Sequence, residues 1–573
     1  MKKLFKFIKS FLPLLALLIA YIWSMVAISM SRVDENDGDA IVLRLGHWQL
    51  EASVREALDR MAADYSVYRK EHGLQPVKII QDAIPEMIYS QWLTTQLMGG
   101  TAPDLIEVGL GSLPYHLWLQ YYNRYFIPLT PYINKPNHYN ADNDLNGVPL
   151  RNTFKDGMRS SFIEEMQEYI CIPLSQFGER VFYNKDLLKK LTGSDKAPQD
   201  YREFLAVCAE IKSHTAPNGQ PYVPIAGSKY HLPMWEGPMF DPLTYSVKDI
   251  ADFNRDGFVD SGEQYVAFKT GRLSFQHPAI RARYRMLREV TDNFQVGYTG
   301  LTRDEAVFLF AQQKAVFMTT GTWDARSLLE QAEGTFQVGV MDYPLPRRDD
   351  PVYGPVIRGP NYERIDGGFR FGITRNSEHP NVALDFLLYM ASRDKNGELN
   401  DIIGWIPSTR GAATPKFLEG FEPHLRGVYG CFRPDNLGGE TWLKWVQLYT
   451  EFQVGKRSYD QLVNVFEPFY KKRGMVDFIE QQKSWRRSML KDAQFLAGVR
   501  AAAFYDKEKS ESWWIRYRLL TADRLVTKEI EHERQMRMVL DGLPDGSVAP
   551  YAYSPHVLAR VKERLKQDQK NRE

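Results

Sequence analysis

The hydrophobic and polar positions near the start of the chain switch repeatedly between a strand period and a helix period. IVLRLGHWQL (41–50) alternates as a half-buried strand does, and residues 51–73 have the spacing of a helix. PVKIIQD (76–82) and APDLIEVG (102–109) predict two further short strands, with a helix between them over QWLTTQLMGG (91–100). This β-α-β-α-β order predicts an α/β fold with a parallel sheet flanked by helices.

The same alternation returns in three later segments. EYICIPLSQFGERVFYNKDLLKK (168–190) predicts a strand, a loop and the start of a helix. AVFMTTGTWDARSLLEQ (315–331) and FRFGITRNSEHPNVALDFLLYMAS (369–392) each predict a strand followed by a helix. Ligands of open α/β sheets bind beyond the carboxyl ends of the strands. This geometry points to Trp48 after the first strand, and to Leu110 and Gly111 after the third.

The N-terminus predicts where the protein works. Lysines cluster in the first nine residues and precede an uncharged run from Ser10 to Ser31. About 20 apolar residues suffice for a helix to cross a bilayer, and the lysines favour the cytoplasmic side. The alternative is a cleaved signal peptide, whose apolar region is usually shorter. In either case residues 1–31 are an anchor or a signal, residues 32–40 are an acidic linker, and the remainder lies outside the cytoplasm.

Composition narrows the class of function. A chain of 573 residues is too long for one hydrophobic core, and its formal net charge of +1 gives no general attraction for nucleic acid. The three cysteines are too few and too scattered for a disulfide framework or a zinc site. An aromatic content of 13% suits sugar binding, because ring faces stack on the apolar patches of sugars. The alternative for any one aromatic residue is that it fills a core.

Five short motifs occur in a particular order along the chain. They are G-x-(A/T)-P-D at 100–104, Y-N-K-D-L at 183–187, G-x-W at 321–323, a Gly-Gly pair before a strand at 367–368, and G-x-x-P-(S/T) at 404–408. Together they resemble the motifs of bacterial extracytoplasmic solute-binding proteins of the carbohydrate class, the maltose-binding type. The segment EFQVGKRSYDQLVNVFEPFY also resembles the closing helix of that family, so that the likeness covers about residues 41–473.

The resemblance implies a periplasmic-binding-protein fold of two discontinuous lobes that close about a hinge. Lobe one would comprise residues 41–172 and 295–345, and lobe two residues 173–294 and 346–473, with the chain crossing near 172, 295 and 345. Residues 474–573 would form a helical C-terminal extension. The resemblance also implies a monomer that captures a sugar or oligosaccharide and passes it to the permease subunits of an ABC importer, without catalysis.

Candidate ligand residues follow from strand ends, from loops and from the resemblance. Trp48 and Trp323 follow predicted strands, and Asp324 offers a carboxylate to sugar hydroxyls. The alternative for each indole is that it packs inside the protein. Trp442 shares a helical face with Trp445, which favours a packing role for one of the two over ligand contact for both. The full set of candidates is Trp48, Leu110, Gly111, Gln176, Phe177, Trp235, Glu236, Trp323, Asp324, Gly368, Trp405, Arg410 and Trp442.

DFNRDGFVDSGE (252–263) has the spacing of an EF-hand calcium loop. The oxygen ligands would come from Asp252, Asn254, Asp256, the Phe258 carbonyl, Asp260 and Glu263, with Gly257 supplying the sharp turn. Oxygen-only ligands suit a hard cation, and a single loop suits a structural role. The sequence therefore predicts one structural Ca²⁺ site in lobe two, with an acidic surface turn as the alternative.

Two other classes of function remain as alternatives. A carbohydrate-cleaving enzyme would need two carboxylates flanking the scissile bond, and no motif in the sequence marks such a pair. The sequence also has no G-x-S-x-G elbow and no G-K-(S/T) phosphate loop. A calcium-dependent adhesion protein is disfavoured by a single calcium loop within an α/β lobe.

Overall fold

The computed structural model describes residues 40–541 except 112, 114, 165, 217–218, 435–437 and 509, together with residue 563. The predicted anchor or signal peptide at 1–31 lies outside the described residues, as do residues 32–39 of the predicted linker. In the described part of the chain, no helix is both long enough and apolar enough to cross a bilayer.

The described strands follow one another along the whole chain as far as residue 407. They are β1 Ile41–His47, β2 Val77–Ala83, β3 Leu105–Val108, β4 Phe162–Ile163, β5 Glu168–Tyr169, β6 Cys171–Gln176, β7 Glu179–Asn184, β8 Val223–Ala226, β9 Ala315–Gly321, β10 Val338–Met341, β11 Gly367–Ile373 and β12 Ile406–Pro407.

The α-helices lie between the strands and dominate the chain after β12. They are α1 Ala52–Glu71, α2 Glu86–Gly99, α3 Tyr115–Tyr125, α4 Leu150–Thr153, α5 Lys185–Thr192, α6 Tyr201–Ser213, α7 Leu232–Trp235, α8 Asp241–Ala251, α9 Ser261–Lys269, α10 Pro278–Thr291, α11 Arg303–Ala311, α12 Thr322–Ala332, α13 Pro380–Met390, α14 Arg393–Ile403, α15 Gly439–Gln453, α16 Tyr459–Tyr505, α17 Ser510–Thr521 and α18 Lys528–Asp541. Short 3₁₀ segments occupy His138–Asn140, Arg159–Ser161, Tyr298–Gly300 and Lys416–Phe421, and π-helical turns occupy Glu236–Phe240 and Ala522–Thr527.

Unit 1 contains the described residues of Met1–Phe177 and Ile365–Glu419. Its sheet has the order β12-β6-β11-β3-β1-β2. β1 runs parallel to β2 and β3, so the predicted parallel β-α-β-α-β start is confirmed. β11 is antiparallel to both of its neighbours, β3 and β6. One face of this sheet is covered by a core in which Leu93 of α2 and Trp118 of α3 pack with the strand residue Ile106.

Unit 2 contains the described residues of Gly178–Arg364 and Gly420–Glu573. Its sheet has the order β10-β7-β9-β8, with β7 antiparallel to β9 and β10, and with β8 parallel to β9. The helices bury a large aromatic core that includes Phe204, Trp235, Phe268, Trp445 and Phe466. Aromatic rings bury much apolar area each, so these side chains dominate the packing of unit 2.

The predicted division of the lobes differs from the structure. Residues 295–345 carry β9, which pairs with β7 and β8 in unit 2 rather than with the strands of lobe one. β11, predicted for lobe two, pairs with β3 and β6 in unit 1. The chain therefore passes between units after Phe177, Arg364 and Glu419. The predicted crossings at 172, 295 and 345 lie 5, 69 and 74 residues before these positions, so they are wrong.

Two of the sequence motifs are explained by backbone hydrogen bonds. Asp104 accepts from the backbone N–H of Arg44 on β1 (2.8 Å) and from Ser377 Oγ after β11 (2.5 Å), which ties three strands together at their far ends. Asn184 caps α5, with its Oδ1 accepting from Leu187 N at 2.8 Å. Both motifs therefore have an architectural role in this chain.

The predicted boundary at residue 473 is not a break in the structure. The helix α16, which is 47 residues long in total, runs through this position, and neither Pro468 nor Gly474 ends it. A Cβ at Gly474 would stand 2.8 Å from the ring of Tyr265, so this glycine allows α16 to pack closely on α9. The described part of the predicted extension is helical, as expected, and belongs to unit 2.

A buried amide pair on α14 provides a test of the unit 1 fold. Asn400 Nδ2 donates to Leu174 O (2.9 Å) and its Oδ1 accepts from Ser175 Oγ (2.6 Å), while Asn396 Nδ2 donates to the same Leu174 carbonyl (2.8 Å). We expect Asn400→Ala to destabilise the protein by about 1–3 kcal/mol, because the buried Ser175 hydroxyl loses its acceptor and the Leu174 carbonyl keeps only the Asn396 donor. Urea unfolding measures this change. Asn123→Ala, at an exposed position of α3, is the control, and equal midpoints for the two variants would contradict the prediction.

Candidate functional site

The carboxyl ends of several unit 1 strands meet at one edge of the sheet. β1, β2 and β3 are parallel and end at that edge. β11 starts there, because Arg370 pairs with Val108 and Gly367 with Gln176. β6 therefore ends at the same edge, and β12 begins beside it through the pairing of Ile406 with Gln176. We call this the unit 1 strand-end edge.

The unit 1 strand-end edge brings together seven of the thirteen predicted ligand residues, although they come from distant parts of the sequence. This placement agrees with the usual position of ligands in open α/β sheets, beyond the carboxyl ends of the strands. They are Trp48, Leu110, Gly111, Gln176, Phe177, Gly368 and Trp405.

These seven residues differ in what they offer to a ligand. Trp48 and Phe177 are half-buried, whereas Leu110 is buried and its carbonyl accepts from Trp118 Nε1 at 3.1 Å. Trp405 is buried and packs edge-on against Phe177, with ring centroids 5.0 Å apart. Gln176 is buried, and among the described residues its Nε2 has no hydrogen-bond partner. Trp48, Phe177 and Gln176 are therefore the side chains best suited to contact a ligand.

Three exposed apolar side chains lie beside this edge and were not predicted from the sequence. Leu50 follows β1, and Met87 and Ile88 lie in the first turn of α2, just after β2. Met87 is 97% exposed and Ile88 53% exposed. In the sequence, only their position shortly after a predicted strand end pointed to them. The residues after every strand of a parallel sheet share that position, so it does not distinguish these three.

Unit 2 has a comparable edge, where β8, β9 and β10 end and β7 begins. β7 is antiparallel to both neighbours, so Glu179 pairs with Gly321 and Val181 with Met341. Trp323 and Asp324 follow β9 at this edge. The Trp323 ring folds back over Gly321, where a Cβ would stand 2.3 Å from it. The G-x-W motif therefore lets a half-buried indole lie flat on the end of β9.

Asp324 is less available than the sequence suggested. It is buried, accepts from Thr320 Oγ1 at 2.5 Å and lies 3.8 Å from the Arg303 guanidinium. Burial raises the pKa of Asp324, while Arg303 and the Thr320 hydrogen bond lower it. Its carboxylate is thus already engaged within unit 2 at the end of β9.

A charge cluster around the buried Arg180, at the same edge, was not predicted from the sequence. Arg180, which is 2% exposed, forms a bidentate pair with Glu363 (3.0 and 3.1 Å) and contacts Asp342 (3.0 Å). His424 donates its backbone N–H to Glu363 (2.9 Å), and its Nε2 lies 2.9 Å from Asp342 Oδ1. Burial, and then the nearby Glu363 charge, raises the pKa of Glu179 to about 7. Paired charges of this kind fix side chains in one geometry.

The charge cluster borders a cavity of about 820 Å³ within unit 2. This volume falls in the range of small-molecule sites. Both hydrogen-bonding and apolar groups line it. The lining side chains with polar groups are Gln199, Asp342, Tyr343, Asn361, Tyr362, Glu363, His424 and Arg426.

Four predicted ligand residues lie elsewhere in the structure. Trp235 is fully buried in the unit 2 core against Phe204 and Tyr343, so it has no exposed surface to offer a ligand. The Pro/Gly-rich segment around it folds into α7 and a π-helical turn instead of an exposed loop. The neighbouring Glu236 pairs with Arg283 at 3.3 Å.

Arg410 and Trp442 complete the four. Arg410 lies past β12, which runs away from the strand-end edge, and donates to the carbonyls of Thr153 (2.8 Å) and Phe154 (3.1 Å). Trp442 is 45% exposed on α15, whereas Trp445 on the same helix is buried, as the helical spacing indicated. The structure does not bring either candidate to the strand-end residues of its unit.

Loop 252–263 forms the turn expected of an EF-hand loop, and carboxylates of the loop accept hydrogen bonds from its own backbone N–H groups. Gly257 has φ +92° and donates to Asp252 Oδ2 (3.0 Å), while Asp252 Oδ1 is buried without a hydrogen-bond partner in the described part of the chain. Glu263 accepts from the backbone N–H groups of Phe253, Asn254 and Asp260 at 2.9–3.1 Å. Across the described residues, no three acidic, histidine or cysteine side chains are grouped to hold a metal.

Comparison with known proteins identifies a family. Residues 63–420 match the family described as bacterial extracellular solute-binding protein. A multiple sugar-binding protein of Streptococcus mutans is 21% identical over 383 residues, which cover 62% of this chain and 77% of that protein.

Two solved structures are similar to this chain. One from work on xylan utilization by Caldanaerobius polysaccharolyticus has a TM-score of 0.50 at 15% identity, and the match covers 76% of this chain and 100% of that one. A chitin oligosaccharide binding protein has a TM-score of 0.48 at 16% identity, with coverage of 75% and 98%. The first of these supports the predicted α/β binding-protein fold for this chain.

The raised pKa of Glu179 predicts a pH-dependent stability of unit 2. The folded state holds the proton more tightly than the unfolded chain does, so the contribution of this group to stability falls as pH rises from about 4.5 to about 7. We expect Glu179→Gln to remove this loss and to become more stable than the parent protein, by at most about 3 kcal/mol, above pH 7. Thermal unfolding between pH 5 and pH 8 measures it, and parallel pH curves for the two proteins would refute it.

Proposed function

We propose that this chain, which belongs to the family of bacterial extracellular solute-binding proteins, is the sugar-binding receptor of an ABC importer. Family membership confirms the predictions of a binding protein rather than an enzyme, and of an extracytoplasmic location. The step to a sugar ligand is supported by the similarity to a multiple sugar-binding protein and by the side chains at the strand ends. An N-terminal membrane tether, a monomeric state and transfer to permease subunits complete the proposal.

The unit 1 strand-end edge carries the proposal. Trp48 and Phe177 present half-buried aromatic rings, and Leu50, Met87 and Ile88 add exposed apolar surface. Sugar rings have apolar C–H faces that stack on such surfaces. The buried Nε2 of Gln176 is a hydrogen-bond donor from which a ligand hydroxyl can accept. This favours a hydroxylated ligand over an apolar one.

The unit 2 edge supplies polar groups for the same class of ligand. Asp342 and His424 are held by the Arg180 cluster at the cavity, and Trp323 offers an indole after β9. Side chains already held by ion pairs and hydrogen bonds lose less rotamer entropy when a ligand binds. Capture and release require no bond to be made or broken, so these residues bind and orient the sugar.

A sugar panel tests the proposal. We expect isothermal titration calorimetry to detect binding of at least one sugar or oligosaccharide, with no product formed. Trp48→Ala and Gln176→Leu should each weaken binding about tenfold or more, because one loses a stacking face and the other a buried donor. Trp442→Ala, an exposed tryptophan of α15, is the matched control and should leave the affinity unchanged. Turnover of the sugar, or full affinity in both edge variants, would sink the proposal.

We further propose that loop 252–263 binds one structural Ca²⁺. The acidic and amide side chains of the loop, the positive-φ glycine and the buried, unpartnered Asp252 Oδ1 fit a hard cation. Ligation by Glu263 requires it to give up its hydrogen bonds to three backbone amides. When bound, the ion would neutralise the carboxylates and stabilise unit 2 by mass action.

Thermal unfolding with calcium or a chelator tests the calcium proposal. Calcium should raise the Tm of the parent protein, and magnesium should raise it less. Asp256→Asn keeps an acceptor for Phe258 N but removes one ligand charge, so it should need more calcium for the same rise. Asp249→Asn, an exposed site on α8 just before the loop, should behave as the parent protein. An identical Tm with calcium and with chelator would mean that the loop is an acidic surface turn.

A further inference from the structure

Glu107 is a buried carboxylate on β3, directly beneath the loop that follows β1. It is fully buried, and both carboxylate oxygens are used within unit 1. Oε1 accepts from Gln49 Nε2 at 2.8 Å, and Oε2 accepts from Trp48 N at 3.2 Å. The two residues that it holds are therefore Trp48, the leading ligand candidate of unit 1, and Gln49 beside it.

Charged and titratable groups on several neighbouring elements act on Glu107. Burial raises its pKa to about 8, the hydrogen bonds from Gln49 and Trp48 oppose that rise, Glu51 adds to it and Arg370 lowers it. Arg370, on β11, lies against Gly109, where a Cβ would stand 1.9 Å from the guanidinium, and it donates to Ser160 O at 2.8 Å.

The remaining neighbours do not titrate with Glu107 near neutral pH. Tyr89 of α2 donates to the Glu107 carbonyl at 2.8 Å, and burial raises the pKa of Tyr89 well above its usual value. His47 ends β1, and burial lowers its pKa to about 4. Glu107 is therefore the buried group of this edge whose charge changes within a few units of neutrality.

We infer that Glu107 is a positioning residue for the ligand, and that its ionisation decides which atom of the Gln49 amide faces outward. The inference rests on the proposed sugar-binding function. As a carboxylate, Glu107 holds Gln49 Nε2, so that Gln49 Oε1 stays available to accept from a ligand hydroxyl. As a neutral acid, it carries an O–H that needs an acceptor, and Gln49 Oε1 is the acceptor within reach once the amide turns over.

The hydrogen-bonding pattern determines whether ligand affinity rises or falls with pH. Both groups that Glu107 contacts present N–H donors in the structure, so a proton on either oxygen faces a donor. Hydrogen bonds to a charged carboxylate are also stronger than those to a neutral acid. The ionised form consequently holds Gln49 more firmly, with its Oε1 facing outward, and ligand affinity should increase as pH rises.

The test uses calorimetry on the full chain between pH 6 and pH 9.5, with a sugar that binds the parent protein in the panel. Glu107→Gln imitates the neutral acid, because its amide donates to Gln49 Oε1 at every pH. We expect the parent affinity to rise roughly tenfold through about pH 8, the size of change that one charged hydrogen bond gives. Glu107→Gln should keep the low-pH affinity throughout. Glu168→Gln, on β5, is the control and should follow the parent curve.

A second variant keeps the test decisive if Glu107→Gln folds poorly. Gln49→Ala changes a half-buried side chain of the loop after β1 and removes the amide that the proton controls. Its affinity should be weaker and flat with pH. A parent curve that is flat, or a pH-dependent curve that survives in Glu107→Gln or in Gln49→Ala, overturns the inference while leaving sugar binding intact. No binding by the parent protein at any pH overturns the proposed function itself.

Discussion

The antiparallel insertion of β11 between β3 and β6 is the constraint on which the candidate site depends. Its backbone hydrogen bonds join the parallel strands β1, β2 and β3 to β6 and β12. Without that strand, Gln176 and Phe177 would have no fixed relation to Trp48, because the chain between β3 and β6 spans more than sixty residues of helix and loop. Asp104 reinforces the arrangement at the opposite end of the strands, through Arg44 N and Ser377 Oγ. The site is thus built by long-range pairing.

Aromatic rings lying on glycines recur where the strands end or pair closely. The ring of Phe177 approaches Gly368, that of Trp323 approaches Gly321 and that of Tyr183 approaches Gly339, and in each case a Cβ would stand 2.3 Å from the ring. The missing side chain lets the ring lie directly on the backbone, which fixes its orientation at little entropic cost. This explains why motifs that pair glycine with an aromatic residue mark the architecture more reliably than they mark ligand contacts. Trp323 and Phe177 can still serve a ligand, because each keeps part of its ring exposed.

The sequence predicted local structure well and long-range pairing poorly, for physical reasons. Hydrophobic periodicity is a property of neighbouring residues, so β1 to β3 and the strand–helix units at β9 and β11 were predictable. Which sheet a strand joins depends on partners far along the chain, so β9 and β11 were assigned to each other's unit. Trp235 was misjudged because proline and glycine suggested a loop, whereas tertiary packing buried the segment. Arg180 and Glu107 gave no signal, since a charge inside an apolar strand is explained only by partners from other elements.

The two strand-end edges handle burial of polar groups in opposite ways. Unit 2 buries Arg180 and pairs it at close range with the half-buried Glu363 and the exposed Asp342, so the buried charge is neutralised by carboxylates. Unit 1 buries Glu107 with two N–H donors and keeps Arg370 at a greater distance, so the carboxylate is hydrogen-bonded but not paired at close range. A close ion pair holds its charge over a wide range of pH, whereas a carboxylate held by neutral donors can exchange its proton near neutrality. A change of charge at Glu107 would therefore act directly on Trp48 and Gln49, because these two residues donate the hydrogen bonds that its carboxylate accepts.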